Sequence, residues 1–159
     1  MKKLILLFAF AVLLFSCKPK EVVTSKKTDY KTEAGLKGNW TITSVTFPGS
    51  DYIKVNSFQI ADSKCFVGSN WKFVPNNDTG EMLLTKTDCP SFSSPIQWYI
   101  NKDQQFVLKI LNAGVKAKKV REGYILRLAA QTEDSFQLID KIDVGGTMTD
   151  VIYQFSKNQ

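Results

Sequence analysis

From Gly38 to Gln159, apolar side chains recur at every second position in one short run after another, and no stretch keeps a helical period. Period two sends successive side chains to opposite faces of an extended chain, so each run needs one face covered. Trp40 and Ile42 share one parity while Val45 and Phe47 share the other, which predicts a bulge near Thr43-Ser44 in a long first strand ended by Pro48-Gly49. Residues 52–60 are apolar but irregular and are read as a loop closing one end of the fold. Cys65, Val67, Ser69, Trp71 and Phe73 fall on one face of the next predicted strand. Met82 and Leu84 open another, after a turn at 75–80. Beyond a turn-rich loop at 90–95 come Ile96, Trp98 and Ile100, then a turn at 101–103, then Phe106, Leu108 and Ile110. Tyr124, Leu126 and Leu128, then Phe136 and Leu138, and finally Val151, Tyr153 and Phe155 mark three more, the last after a Gly145-Gly146 turn. About eight short strands with small turns predict an all-β fold, an antiparallel sandwich or an up-and-down β-barrel. Closure into a barrel is favoured because it leaves no strand edge open.

The chain contains no histidine. Ser-His and Cys-His nucleophile pairs, histidine metal sites and the usual neutral-pH proton switch are therefore out of reach. Carboxylates at Glu133-Asp134 and Asp140-Asp143 flank apolar runs, where turn and surface acids are expected, and their spacing suggests no acid/base pair. No catalytic residue, cofactor or metal is expected. The formal charge of +6 is concentrated outside the strand region: residues 38–159 hold 13 basic and 12 acidic residues, a net of +1. Nucleic-acid binding needs a concentrated basic face, and none is expected here. The one local cluster, Lys116, Lys118, Lys119 and Arg121, is read as a solvated edge or loop.

At the N-terminus, Lys2 and Lys3 precede a run of about 12 apolar residues and then Ser16-Cys17. That is too short to span a bilayer, which takes roughly 20 residues, and it has the build of an export signal. Leu14-Phe15-Ser16-Cys17 resembles the lipobox of bacterial lipoproteins. The resemblance implies cleavage after Ser16 and lipidation of Cys17, giving a signal peptide at 1–16, a lipidated flexible tether at 17–36 and a folded unit at 37–159. The expected address is the cell envelope, the outer membrane being favoured. With Cys17 set aside, Cys65 and Cys89 are an even pair in an oxidising compartment, most simply a disulfide, the competing reading being a redox or metal pair.

Gly38-Asn39-Trp40 resembles the Gly-x-Trp opening of lipocalins. The run from Cys65 to Phe73, with Gly68-Ser69 and Trp71, the turn Asn76-Asn77-Asp78-Thr79-Gly80, the second cysteine in Asp88-Cys89-Pro90 and the closing Ile152-Tyr153-Gln154-Phe155 are together similar to lipocalin-like lipoproteins of Bacteroidetes. The resemblance implies a barrel of about eight strands with Gly38 and Trp40 at its base, and a small apolar ligand of the lipid or fatty-acid class. No arginine follows the last strand to pack on Trp40, the place one holds in the family, and Arg127 is the expected substitute. By parity, Trp71, Phe73, Trp98, Phe106, Leu108 and Tyr153 are the candidate ligand-lining residues, although a filled core uses the same residue types. The alternative is a solid barrel that presents the loops at 48–56 and 90–95 to a protein partner in the envelope.

Overall fold

The computed structural model describes residues 30–49, 54–112 and 123–159. The readings for the export signal, Cys17, most of the tether and the basic cluster Lys116, Lys118, Lys119 and Arg121 lie outside these residues.

A short helix α1 (Tyr30–Gly35) leads into strand β1 (Gly38–Thr46). A two-residue-arm hairpin, β2 (Asn56–Ser57) and β3 (Ala61–Asp62), and a 3-10 turn at Ser63–Phe66 separate β1 from β4 (Asn70–Val74). Then follow β5 (Thr79–Leu84), β6 (Phe92–Ile100), β7 (Gln105–Ile110), β8 (Tyr124–Ala129), β9 (Ser135–Val144) and β10 (Thr147–Lys157). From β4 to β10 each strand pairs antiparallel with the next, and β1 closes the barrel between β10 and β4. The closed, eight-stranded alternative is the one adopted, and closure satisfies both edges of the meander.

The change of parity in β1 is a bulge: its register on β10 shifts between Ile42 and Ser44, which turns Val45 as well as Trp40 and Ile42 toward the core. The run from Cys65 is a correction to the strand reading. Cys65 lies in the 3-10 turn, capped by the Asp62 carboxylate accepting from the Lys64 N–H at 2.9 Å, and the strand begins only at Asn70. Gly68 stands between them at φ +85°, a conformation open to glycine, and hands the chain back to β1 through its N–H to the Ile42 carbonyl at 2.8 Å.

At the base, Trp40 is fully buried and its indole N–H donates to the Leu36 carbonyl at 2.8 Å. The Glu33 carboxylate accepts from the Ile100 N–H at 2.9 Å, and the Gln131 amide donates to the Thr32 carbonyl at 3.0 Å. Helix α1 is thus fastened to the barrel. The cation over Trp40 is also a correction: Lys157 Nζ lies 5.7 Å from the ring centroid, whereas Arg127 is on the outer wall with Asp150 at 3.6 Å.

Candidate functional site: the barrel interior and its capped mouth

The interior is floored with rings. Phe73 on β4 has the rings of Trp71, Trp98, Phe106, Phe136 and Phe155 within 5.2 to 6.2 Å of its own centroid. Phe106 on β7 and Phe136 on β9 each lie three strands from β4, in opposite directions around the barrel. The Phe73 ring therefore bridges the lumen. Trp98 stacks on Phe106 at 5.5 Å and Phe136 on Phe155 at 4.4 Å, so this level is packed from wall to wall. Their polar edges are satisfied internally. The Trp98 N–H donates to the Thr79 carbonyl at 2.8 Å, and the Trp71 N–H to Ser69 Oγ at 2.9 Å.

The opposite end is covered by the β2–β3 hairpin. Its turn places two consecutive side-chain-bearing residues, Phe58 at φ +53° and Gln59 at φ +56°, in the left-handed region, closed by the Ile60 N–H to the Ser57 carbonyl at 3.0 Å. Such turns favour Asn and Gly because a Cβ is crowded there, by about 1–2 kcal/mol per residue. The contacts of Phe58 offset that strain. Its ring is only 6 % exposed, stacks on Tyr153 at 5.4 Å, and meets Tyr124, Phe66 and Trp71 edge-on at 5.0, 5.3 and 6.4 Å. The Tyr153 hydroxyl donates to Ser57 Oγ at 2.5 Å, tying the hairpin to β10. Below the hairpin, a Cys65–Cys89 disulfide fastens the 3-10 turn to the loop before β6.

All six residues selected by parity face this interior and are buried. Phe73, Trp98 and Phe106 belong to the packed floor, while Trp71 and Tyr153 reach the hairpin. Leu108 lies between, paired with Trp98 on one side and Tyr124 on the other. Three further residues at this end escaped the sequence reading: Ser57, Phe58 and Asp140. The first two sit in a stretch with no periodicity. Asp140 was read as a surface acid, yet it shares the parity of Phe136 and Leu138 and stands opposite the buried Val151. Burial pushes its carboxyl above the usual range, against a hydrogen bond from the Lys141 N–H that lowers it. Burial likewise drives the Tyr153 phenol well above its ordinary value. The hydrogen bond to Ser57 opposes this and the nearby charge of Asp140 adds to it.

Beside the hairpin opens a cleft of about 420 Å³, bounded by Phe58, Gln59, Ile60, Pro90, Phe92, Ile110, Asn112 and Tyr124. It is lined by apolar and neutral polar groups. A larger hollow of about 570 Å³ runs along the β9–β10 turn, but Lys141, Asp150 and two threonines frame it, and it holds no aromatic ring. Among the described residues, no three His, Cys, Asp or Glu side chains come together as a metal site.

No protein-family model matches the chain, and no curated protein does. Among solved structures, a lipocalin-like protein from Bacteroides uniformis is similar at 11 % identity over 78 % of this chain and 99 % of its own, with a TM-score of 0.49. Bovine odorant-binding protein in complex with undecanal is similar at 13 % identity over 78 % of this chain and 72 % of its own, with a TM-score of 0.44. Lobster apocrustacyanin A1 is similar at 12 % identity over 84 % and 71 %, with a TM-score of 0.44. The assignment of fold rests on the strand pairing: eight antiparallel strands in an up-and-down meander, closed by β1, with a short helix leading into Gly38-Asn39-Trp40 and a cation over that tryptophan at the base. The chain folds as a lipocalin-like β-barrel.

Proposed function

We propose that this is a non-catalytic binding protein, exported and held at a membrane by a lipid on Cys17, that takes up a small apolar molecule at the barrel mouth. The observation that carries the reading is the cleft of about 420 Å³ beside the β2–β3 hairpin, where Phe58, Ile60, Phe92, Ile110 and Tyr124 are joined by the neutral amides Gln59 and Asn112. A site of that size and lining takes a small neutral ligand, burying its apolar surface against the rings and offering it the amides of Gln59 and Asn112. Phe58 and Tyr124 bound the cleft, and the ring layer around Phe73 fills the barrel at another level. A long acyl chain has no path along the axis past it, so the geometry favours a compact ligand over an extended fatty acid.

The test is a titration of the mature chain, with Cys17→Ser so that no lipid is attached, against short neutral apolar probes, read by intrinsic tryptophan fluorescence, in which Trp71 is the tryptophan that meets Phe58. Saturable change with micromolar midpoints, weakened about tenfold or more when Ile110→Asp introduces a charge into the cleft, supports the reading. Absence of any saturable change across the series contradicts it.

The same packed floor favours a second reading, a filled barrel that presents its hairpin and the loop at 90–95 to a protein partner in the envelope. Recovery of one stoichiometric envelope protein, lost with substitutions in those loops and indifferent to apolar probes, would favour it.

A further inference from the structure

The Phe58 ring is a side chain of the cap, yet it sits among three rings of the barrel wall and one of the 3-10 turn as a guest would. Tyr153 stacks on it, while Phe66, Trp71 and Tyr124 present their edges. It is held there by a turn whose two central residues both carry a Cβ at positive φ. Relaxing that turn favours the withdrawn hairpin, whereas loss of the ring contacts opposes it, so the closed state is held by the occupant of the cage. When the hairpin withdraws, the Tyr153 hydroxyl also parts from Ser57 Oγ. The phenol then faces the emptied seat, and Asp140, opposite Val151, is the next residue of the same parity on β9 after Leu138, the partner of Tyr153.

We propose that the Phe58 ring is a built-in stand-in for the ligand: the barrel binds a planar aromatic molecule that displaces Phe58 from the cage of Phe66, Trp71, Tyr124 and Tyr153, and that carries a hydrogen-bond donor, preferably a protonated amine, toward Tyr153 and Asp140. This rests on the reading of the mouth as a ligand site and narrows its ligand class. The cage suits flat rings because each wall ring offers a face or an edge to the guest. An ammonium is matched by both the ring faces and the acidic side chain, whereas a carboxylate would meet Asp140 with like charge.

The experiment uses the isotopically labelled mature chain with Cys17→Ser, titrated with indole, tryptamine, indole-3-acetate and decanol while the Trp71 and Tyr153 resonances are followed. The expected order of affinity is tryptamine, indole, then indole-3-acetate, with decanol weakest. Asp140→Asn should abolish the advantage of tryptamine over indole while leaving indole binding in place. Phe58→Ala should strengthen indole binding by about tenfold, because the competing ring is gone. Gln59→Gly and Gln59→Asn relieve the turn without altering the cage, and each should weaken indole binding about fivefold by favouring the closed hairpin. In the Phe58→Ala background, Gln59→Gly should have no such effect. This comparison remains informative even if Phe58→Ala by itself folds poorly, since the Gln59 variants keep the native ring. Decanol shifting the cleft resonances while indole does nothing would overturn the aromatic class and leave a mouth site standing. Indole binding to the Phe58→Ala chain alone would show a cavity made by the substitution, and would overturn the proposal. No probe binding to the unsubstituted chain would overturn both this proposal and the reading beneath it.

Discussion

The hydroxyl of Tyr153, in the last strand of the barrel, donates a hydrogen bond at 2.5 Å to Ser57 Oγ, in the hairpin that covers its mouth. Both residues are almost fully buried, so neither partner has water as a substitute. The bond joins positions 96 residues apart and fixes the hairpin at the level where Phe58 enters the core.

Tyr153→Phe is expected to lower stability at pH 7 by about 1 kcal/mol, since Ser57 Oγ is left buried without its donor. The pH dependence has a definite sign. The folded-state phenol titrates above its unfolded value of about 10. Its contribution is therefore complete below pH 10 and falls above it, by about 1.4 kcal/mol per pH unit while the unfolded chain ionises and the folded chain does not. Urea unfolding of both proteins at pH 7 and pH 10.5 checks this: the gap between them should narrow at the higher pH. A gap that widens would contradict the assignment.

Replacing both Cys65 and Cys89 by serine opens a link between positions 24 residues apart and is expected to reduce stability by about 3.5 kcal/mol. The loss should be felt first at the mouth. In hydrogen exchange, the amides of Ile60 and Ser63 are expected to lose protection before those of the long β9–β10 ladder.

Gly80 faces the interior of β5, and a Cβ there would run into the Lys72 carbonyl and press on Ile96. Gly80→Ala should therefore destabilise the barrel by roughly 3 kcal/mol, measured as a shift in the denaturation midpoint at constant slope.

Ser63 is completely buried, and its hydroxyl has no hydrogen-bond partner among the described residues. Its backbone N–H is already bound to the Val55 carbonyl at 2.8 Å, so Ser63→Ala removes only the unpaired group. The variant is expected to be more stable by about 1 kcal/mol in chemical denaturation.

The strands were legible because alternation is a local signal: Ile96, Trp98 and Ile100, or Val151, Tyr153 and Phe155, reveal their buried face without knowledge of their partners. Even the bulge in β1 was written in a change of parity. Cys65 misled for the same reason, since its parity with Trp71 continues across a 3-10 turn set by the Asp62 cap and the left-handed Gly68. Phe58 could not be placed from sequence, because it is defined by Tyr124 and Tyr153, 66 and 95 positions away. The parity of Phe136, Leu138, Asp140 and Ile142 does point inward. Expectation that an acid stays in water overrode that pattern, and Asp140 was assigned to the surface. At the base, the family's arginine suggested another arginine, while the last strand itself delivers Lys157 to Trp40.

The central claim is that the barrel mouth holds a small apolar molecule. Native mass spectrometry of residues 17–159 with Cys17→Ser, exported to an oxidising compartment and purified without detergent, tests it most directly. The account predicts a discrete added mass that organic solvent removes and that returns on incubation with a compact apolar compound. A bare mass, unchanged by incubation with aromatic and aliphatic compounds alike, would contradict it.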